Sequence, residues 1–227
     1  MRTFLALLGL VGLAILVSMG ASKLHPGGDL PPAELELEKE RAAKEKDEAH
    51  MEQMKASLDK SGDAFEKVKA AGVVKGTLTF MGKKPMQVEF YPSAAPQTVE
   101  HFTALIKKNF YTGVKIHRYE NKGLNLVQMG DPETINADPT TFSTKNVGTH
   151  GSGTGFVPLE IKLPHDKYSI GLARSAQENT GDSQFYINTE SNHGLDGNYC
   201  IFGRIVSNQD QLNDLRVGDR IINFTIP

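Results

Sequence analysis

The sequence contains no tryptophan and only one cysteine, Cys200. A single cysteine excludes an internal disulfide and is neutral about redox compartment. Net charge is also nearly absent: 25 lysines and arginines against 27 aspartates and glutamates leave −2. No basic patch interleaved with aromatics stands out, so there is no general pull toward nucleic acid. Metal-ligand spacing is missing too. His117, His150, His165 and His193 are scattered, with no H-x-x-x-H pair and no cysteine ligands beside them, so no metal is expected.

Nucleophiles are equally scarce. No G-x-S-x-G occurs, and Gly181-Asp182-Ser183 reads as a turn. Cys200 lies inside the apolar run YCIFG, where a thiol is inert packing. The stretch GTHGSGTG, Gly148 to Gly155, is rich in glycine, but no Lys-Ser/Thr pair follows and no helical pattern starts there. It reads as a flexible surface loop rather than a phosphate cradle, and no cofactor is called for.

What is present falls into three parts. Residues 1–22 hold Arg2 and then an apolar run, Phe4 to Val17, with small residues Ser18 and Gly20 behind it. That is the form of a secretory signal. A spanning helix wants about 20 apolar residues, so the run is a little short for an anchor, yet retention in a membrane stays open beside removal. Either outcome sends the rest of the chain out of the cytoplasm. Residues 23–72 open with a Pro/Gly linker, Leu24 to Pro32, followed by a Glu/Lys/Ala-rich stretch, Ala33 to Ala71, that favours a long charged helix. Leu37, Met51, Leu58 and Phe65 fit a seven-residue spacing, interrupted at Lys44 and at Ser61-Gly62. A helix-mediated coiled-coil dimer and a solvated stalk are the two readings.

Residues 73–227 read as mainly β. Strand candidates are Gly76–Phe80, Met86–Tyr91, Lys115–Tyr119, Leu124–Met129, Ser169–Arg174, Gln184–Asn188, Tyr199–Ile205 and Arg220–Ile226. Ser93-Ala-Ala-Pro96 opens a helix with proline in its first turn, and Val99, Phe102, Leu105 and Ile106 line one face of it. A shorter helix is expected from Ser207 and Asp210 to Leu215. Short strands, glycine turns and two helices predict a closed antiparallel β-barrel capped by two helices. Such a core, of roughly 150 residues, buries enough surface to need no staples.

Within this domain the stretch Val114 to Pro132 places Arg118 at the end of one apolar strand and Gln128 in a second. An arginine, an amide and an apolar wall, without nucleophile or metal, suit few chemistries. The segment IHRY…LVQMGD (Ile116–Asp131) resembles the F-H-R…Q-G-G-D segment of the cyclophilins, the peptidyl-prolyl cis-trans isomerases. GLARSAQENTGDSQFYI (Gly171–Ile187) and LDGNYCIFGRI (Leu195–Ile205) are similar to two later segments of that family, in the same order, and YPSAAPQTVEHF matches its strand-to-helix entry. The resemblance runs from about Val73 to Pro227.

It implies an enzyme that rotates X-Pro bonds in proline-containing polypeptides. The barrier to such rotation is about 18–20 kcal/mol, because the nitrogen lone pair is delocalised into the carbonyl. The two isomers differ by only about 0.5–1 kcal/mol. No bond is made or broken, so neither nucleophile nor metal is needed. A donor that meets the lone pair regained in the twisted state stabilises it over the planar ground state. By resemblance Arg118 is that donor and Gln128 helps to hold it, with Gln184 a further polar wall. Leu126, Tyr186 and Leu195 would line the proline socket, with Tyr199 at its rim. Ala173 and Arg174 match the strand that pairs with the substrate chain, and His117 reads as packed scaffold.

Several positions depart from the family pattern. Two extra residues separate Arg118 from Gln128. Asn125 stands where an aromatic is usual, Tyr186 where the socket has phenylalanine, and Met129 replaces a common glycine. Gly194 takes a position often held by tryptophan or another bulky residue. A looser, more polar socket is the consequence, with weak cyclosporin binding. A non-catalytic proline-binding module or chaperone on the same fold is the alternative reading.

Overall fold

The computed structural model describes residues 62–142 and 146–227, together with residues 36, 39–42, 44, 45 and 48. The chain divides into two compact units, residues 1–51 and 52–227. The described residues of the first are all helical and exposed. The apolar run Phe4–Val17, the linker, and Leu37, Met51 and Leu58 of the seven-residue spacing lie outside the described residues. So does most of the expected charged helix. Among the described residues no helix is long and apolar enough to cross a membrane.

In the second unit, helix α1 (62–70) precedes eight strands and one longer helix. The strands are β1 (Val74–Phe80), β2 (Met86–Phe90), β3 (Arg118–Lys122), β4 (Leu124–Met129), β5 (Ser169–Leu172), β6 (Phe185–Asn188), β7 (Ile201–Ile205) and β8 (Ile221–Thr225). Helix α2 (Pro96–Lys107) lies between β2 and β3. All named pairings are antiparallel, in the order β3-β4-β6-β5-β7-β2-β1-β8.

The barrel expected from the sequence is therefore corrected to a curled, open sheet. Its edge strands β3 and β8 do not pair. Contact is confined to the chain just before β3 and the start of β8: Lys115 bridges Arg220, the Ile116 N–H donates to Asp219 O at 2.9 Å, and the Ile221 N–H donates to Val114 O at 2.9 Å. That contact explains why β3 begins at Arg118 rather than Lys115. The second cap is also smaller than expected, a 3₁₀ helix at Gln209–Asp214.

Helix α2 is built to plug the concave face. Pro96 starts it with φ already fixed, and Thr98, Val99, Phe102, Leu105 and Ile106 form its buried stripe. Its Ala95 N-cap offers no side-chain acceptor. The carboxylate of Glu160 supplies one from outside, accepting from the N–H groups of Gln97 (3.1 Å) and Thr98 (2.9 Å) and from the Thr98 hydroxyl (2.8 Å). A negative charge there also meets the positive end of the helix dipole. Phe102 reaches into an aromatic cluster with Phe202 (4.7 Å), Tyr111 (4.8 Å) and Phe185 (5.1 Å).

Alternation along the strands decides what faces outward. Val127, Met129, Phe185 and Ile187 enter this core. Their neighbours Leu126, Gln128 and Tyr186 consequently point to the opposite face. A separate cluster of Phe65, Val68, Tyr91, Ala94, Leu163 and Ile201 seats α1 against the sheet.

Candidate active site

Register alone assembles a row of side chains on that outer face. Arg118 on β3 lies opposite Gln128 on β4, Gln128 opposite Tyr186 on β6, and Tyr186 opposite Gly171 on β5. The Arg118 Nη1 donates to Gln128 Oε1 at 3.4 Å, the Gln128 amide donates to Gln184 Oε1 at 3.0 Å, and the Gln184 amide donates to the His150 carbonyl at 2.8 Å. Arg118 keeps 44 % of its side chain exposed, held on its other side by Glu120 at 3.1 Å. A charged donor is thus presented to solvent on an oriented stem. The two extra residues between Arg118 and Gln128 do not disturb this opposition. Between them Tyr119–Val127, Glu120–Leu126 and Asn121–Asn125 are paired, and Gly123 turns the chain at φ +87°.

The apolar residues sit beside this row. Leu126 and Tyr186 are each only 3 % exposed and form a floor rather than a wall. The Tyr186 hydroxyl meets His165 Nε2 at 2.7 Å, and His165 Nδ1 meets Asp196 Oδ1 at 2.8 Å. Burial is the largest of the causes that lower the pKa of His165 and raise that of Tyr186. Asp196 directly follows the 3₁₀ turn His193–Leu195, so Leu195 is half-buried on the same flank. Asn192 fastens that turn to β4: its side chain accepts from the Asn125 N–H (3.1 Å) and donates to the Asn125 carbonyl (2.9 Å). Asn125 therefore serves through its backbone.

Tyr199 meets Tyr186 edge-on at 6.3 Å, and the Arg174 guanidinium covers its ring at 4.6 Å. Arg174 also donates from Nη2 to the Asn198 carbonyl at 2.9 Å and from Nη1 to the Ser175 carbonyl at 3.0 Å, so it ties two loops together. The Ala173 N–H donates to the Gln184 carbonyl at 2.9 Å.

A groove of about 540 Å³ opens next to this face. Gln128, Ala173, Arg174 and Gln184 line it, whereas Arg118, Leu126, Tyr186, Leu195 and Tyr199 do not. Its far wall is the glycine-rich segment Gly148–Gly151 with Phe156; the segment is a surface loop, as read from the sequence, and it also borders the groove. Two buried carboxylates hold it in place. Asp131 accepts from the Gly148 N–H (2.6 Å) and the His150 N–H (3.1 Å). Asp182 accepts from the Ser152 hydroxyl and the Gly153 N–H, and lies 2.9 Å from His101 Nε2. Sequence reasoning missed Phe156, Thr180 and Asp182 in this lining.

Burial governs two titratable groups beneath this face. Burial pulls the His117 pKa down to about 4, so the ring is neutral at pH 7. Neither ring nitrogen has a hydrogen-bond partner among the described residues. Burial pushes the Cys200 thiol up to about 12, which leaves almost no thiolate. Among the described residues no three histidine, cysteine or acidic side chains converge as a metal site.

This curled antiparallel sheet with a helix in its concavity is a cyclophilin-like fold. A cyclophilin-type isomerase from Cryptosporidium parvum superposes with a TM-score of 0.53 at 22 % identity, over 69 % of this chain and 98 % of that one. A cyclophilin from Hirschia baltica gives 0.56 at 17 % identity, over 71 % and 79 %. Residues 77–222 match the family model described as cyclophilin type peptidyl-prolyl cis-trans isomerase/CLD. A probable peptidyl-prolyl cis-trans isomerase of Brucella abortus is 33 % identical over 140 residues, 61 % of this chain and 70 % of that protein. A peptidyl-prolyl cis-trans isomerase of Synechococcus elongatus is 31 % identical over 151 residues, 63 % and 90 %. The chain belongs to the cyclophilin-type peptidyl-prolyl cis-trans isomerase family, and its activity is the cis-trans isomerisation of X-Pro bonds.

Proposed function

We propose that Arg118 is the catalytic donor and that the chain isomerises X-Pro bonds in polypeptides outside the cytoplasm. The observation that carries this is the exposed guanidinium of Arg118, directly opposite Gln128 and hydrogen-bonded to it at 3.4 Å. A prolyl ring resting on Leu126 and Tyr186, flanked by Leu195 and Tyr199, brings its nitrogen under that fork. As the imide twists, the nitrogen turns pyramidal and its lone pair becomes an acceptor. Arg118 then donates to a charge distribution that the planar ground state lacks. Gln128 holds the arginine, and Gln184 holds Gln128. The backbone at Ala173 and Arg174 receives the substrate chain.

Ala-Pro is the dipeptide in whose presence a second structure of the Cryptosporidium parvum relative was determined, which supports proline-containing substrates. The extracytoplasmic setting is inferred from the apolar run Phe4–Val17 alone, and N-terminal sequencing of the mature protein tests whether that run is cut or kept as an anchor.

The test of function is a protease-coupled isomerisation assay on an Ala-Pro peptide, wild type beside Arg118→Ala, with circular dichroism to check the fold. Wild-type acceleration that disappears in R118A supports the reading. A wild-type rate equal to the uncatalysed one points instead to a non-catalytic proline-binding module or chaperone.

A further inference from the structure

We propose that His165 and Asp196 are positioning residues for the proline socket, holding the Tyr186 ring in place through its hydroxyl. The inference rests on the reading above, in which Tyr186 is part of the socket floor.

The substitution of tyrosine at this place creates a problem that the rest of the fold answers. A phenylalanine ring needs only apolar packing. A buried tyrosine also needs a partner for its O–H. Here the ring runs across the sheet toward β5, and its far end reaches the position where residue 171 would carry a side chain. A Cβ on Gly171 would lie 2.1 Å from the ring carbon bearing the hydroxyl and 2.3 Å from the oxygen. Glycine at 171 is thus a requirement of Tyr186, not of the local backbone.

Beyond Gly171 the hydroxyl meets His165, whose relative exposure is 0 %. The imidazole lies nearly parallel to the Tyr186 ring, at 6.0 Å and 11°. Its tautomer is set by its neighbours. Nδ1 faces the Asp196 carboxylate, which only accepts, so Nδ1 carries the proton. Nε2 is then left as the acceptor for the tyrosine O–H. Asp196 is itself fixed. The same oxygen accepts the His165 backbone N–H at 2.7 Å, and its other oxygen faces His193 Nδ1 at 3.0 Å. Because Asp196 follows Leu195 in the chain, one run of hydrogen bonds links the β6 side of the socket to the turn that carries the other side. None of these groups touches the reacting bond; they act on the ring beneath it.

The experiment measures isomerisation kinetics of the full chain as wild type, His165→Leu, Tyr186→Phe and the double variant. H165L strands the hydroxyl and frees the ring, and is expected to raise KM about fivefold with kcat within about twofold. The double variant removes both partners, and is expected to return KM to within about twofold of Y186F. H165L with a wild-type KM, or a double variant no better than H165L, overturns the proposal. Should H165L fail to fold, Gly171→Ala displaces the same ring from its other side, and an unchanged KM in G171A is equally fatal. In the wild type, nitrogen NMR is expected to find the proton of His165 on Nδ1 at pH 7; a proton on Nε2 removes the acceptor and with it the proposal. Binding of the Ala-Pro peptide is measured in parallel. A wild type that binds the peptide without catalysis defeats the functional reading alone, and peptide affinities of the same variants then decide the role of His165.

Discussion

Arg118 and Gln128 are directly opposed partners in the β3–β4 ladder, with Nη1 and Oε1 3.4 Å apart. Glu120, two residues along β3, holds the same guanidinium by Nε at 3.1 Å. The two contacts differ in kind. Gln128 orients the fork through a neutral acceptor backed by Gln184, while Glu120 forms a solvent-exposed ion pair, a type of contact that contributes little.

The first prediction follows from that contrast. Arg118→Ala lowers kcat/KM by about 100-fold, the usual effect of losing one donor to a transition state. Arg118→Lys restores only a small part, because a point charge does not reproduce the planar fork. Glu120→Ala changes kcat/KM by no more than about twofold. Steady-state kinetics on the three variants check the ordering.

His117 predicts the pH dependence of stability. Its pKa is about 4 in the fold, lowered first by burial, and about 6.5 in the unfolded chain. The unfolded state therefore binds the extra proton first. The contribution is intact above pH 6.5 and is lost as pH falls toward 4, by on the order of 3 kcal/mol in total. Urea unfolding of wild type and His117→Phe at pH 7 and pH 4.5 checks it: the wild type loses more stability than the variant over that interval.

How much of this was legible beforehand varies with the physical signal. Alternation and turn residues mark β1 and β2 well in the sequence, whereas β6, buried along its whole length, is read as a short apolar run. The apolar stripe of α2 was equally plain. The sequence starts β3 too early because Lys115 and Ile116 are held by residues 219 and 220, a pairing that no local pattern announces. The open sheet reads as a barrel in the sequence for the same reason: closure depends on which distant edges meet. Motif order singles out Arg118, Gln128 and Gln184 as candidates; register opposes the first two, and the Gln128 amide reaches Gln184 at 3.0 Å. Asp131 and Asp182 as anchors of the glycine-rich wall stayed hidden, since an aspartate in a turn looks alike whether its acceptor is spent on its own turn or on one far along the chain. The service of Asn125 through its backbone was hidden similarly.

Gly194 supplies a ligand prediction. By family resemblance this position helps to hold cyclosporin when it is bulky. Here a Cβ built on Gly194 meets nothing within 4 Å, so a large side chain is admitted without a clash. Cyclosporin is expected to bind the wild type weakly, and Gly194→Trp to tighten it by about tenfold or more, a gain on the scale of one well-placed aromatic. Calorimetric titration of both proteins measures the difference. Equal affinities, or a wild type as tight as tryptophan-bearing relatives, contradict the reading.

Asp182 controls the groove rather than the chemistry. Its carboxylate is almost buried and receives Ser152, Gly153 and His101. Asp182→Ala leaves those donors unmatched, and is expected to lower stability by about 1–3 kcal/mol. The glycine-rich wall loosens with it. Limited proteolysis is expected to cut near residues 148–155 in the variant sooner than in the wild type, while Arg118 and Gln128 keep their contact.

Helix α1 lies outside the segment that matches the family model, which begins at residue 77, yet it is seated as core. Phe65 is 4 % exposed, meets Tyr91 edge-on at 5.7 Å and carries the Arg204 guanidinium over its ring at 5.0 Å. The Ser93 hydroxyl donates to the Val68 carbonyl at 3.2 Å. A family domain trimmed to its matched residues would expose Tyr91, Leu163 and Ile201 to water. Phe65→Ala is expected to lower stability by about 3 kcal/mol, as for other buried phenylalanines. The cluster is separate from the core behind Arg118 and Gln128, so kcat/KM measured well below the melting temperature is expected to stay within about twofold of wild type. Thermal unfolding and the isomerisation assay on one preparation separate the two effects. A loss of activity equal to the loss expected for R118A would mean that the helix shapes the site and does not merely cover the sheet.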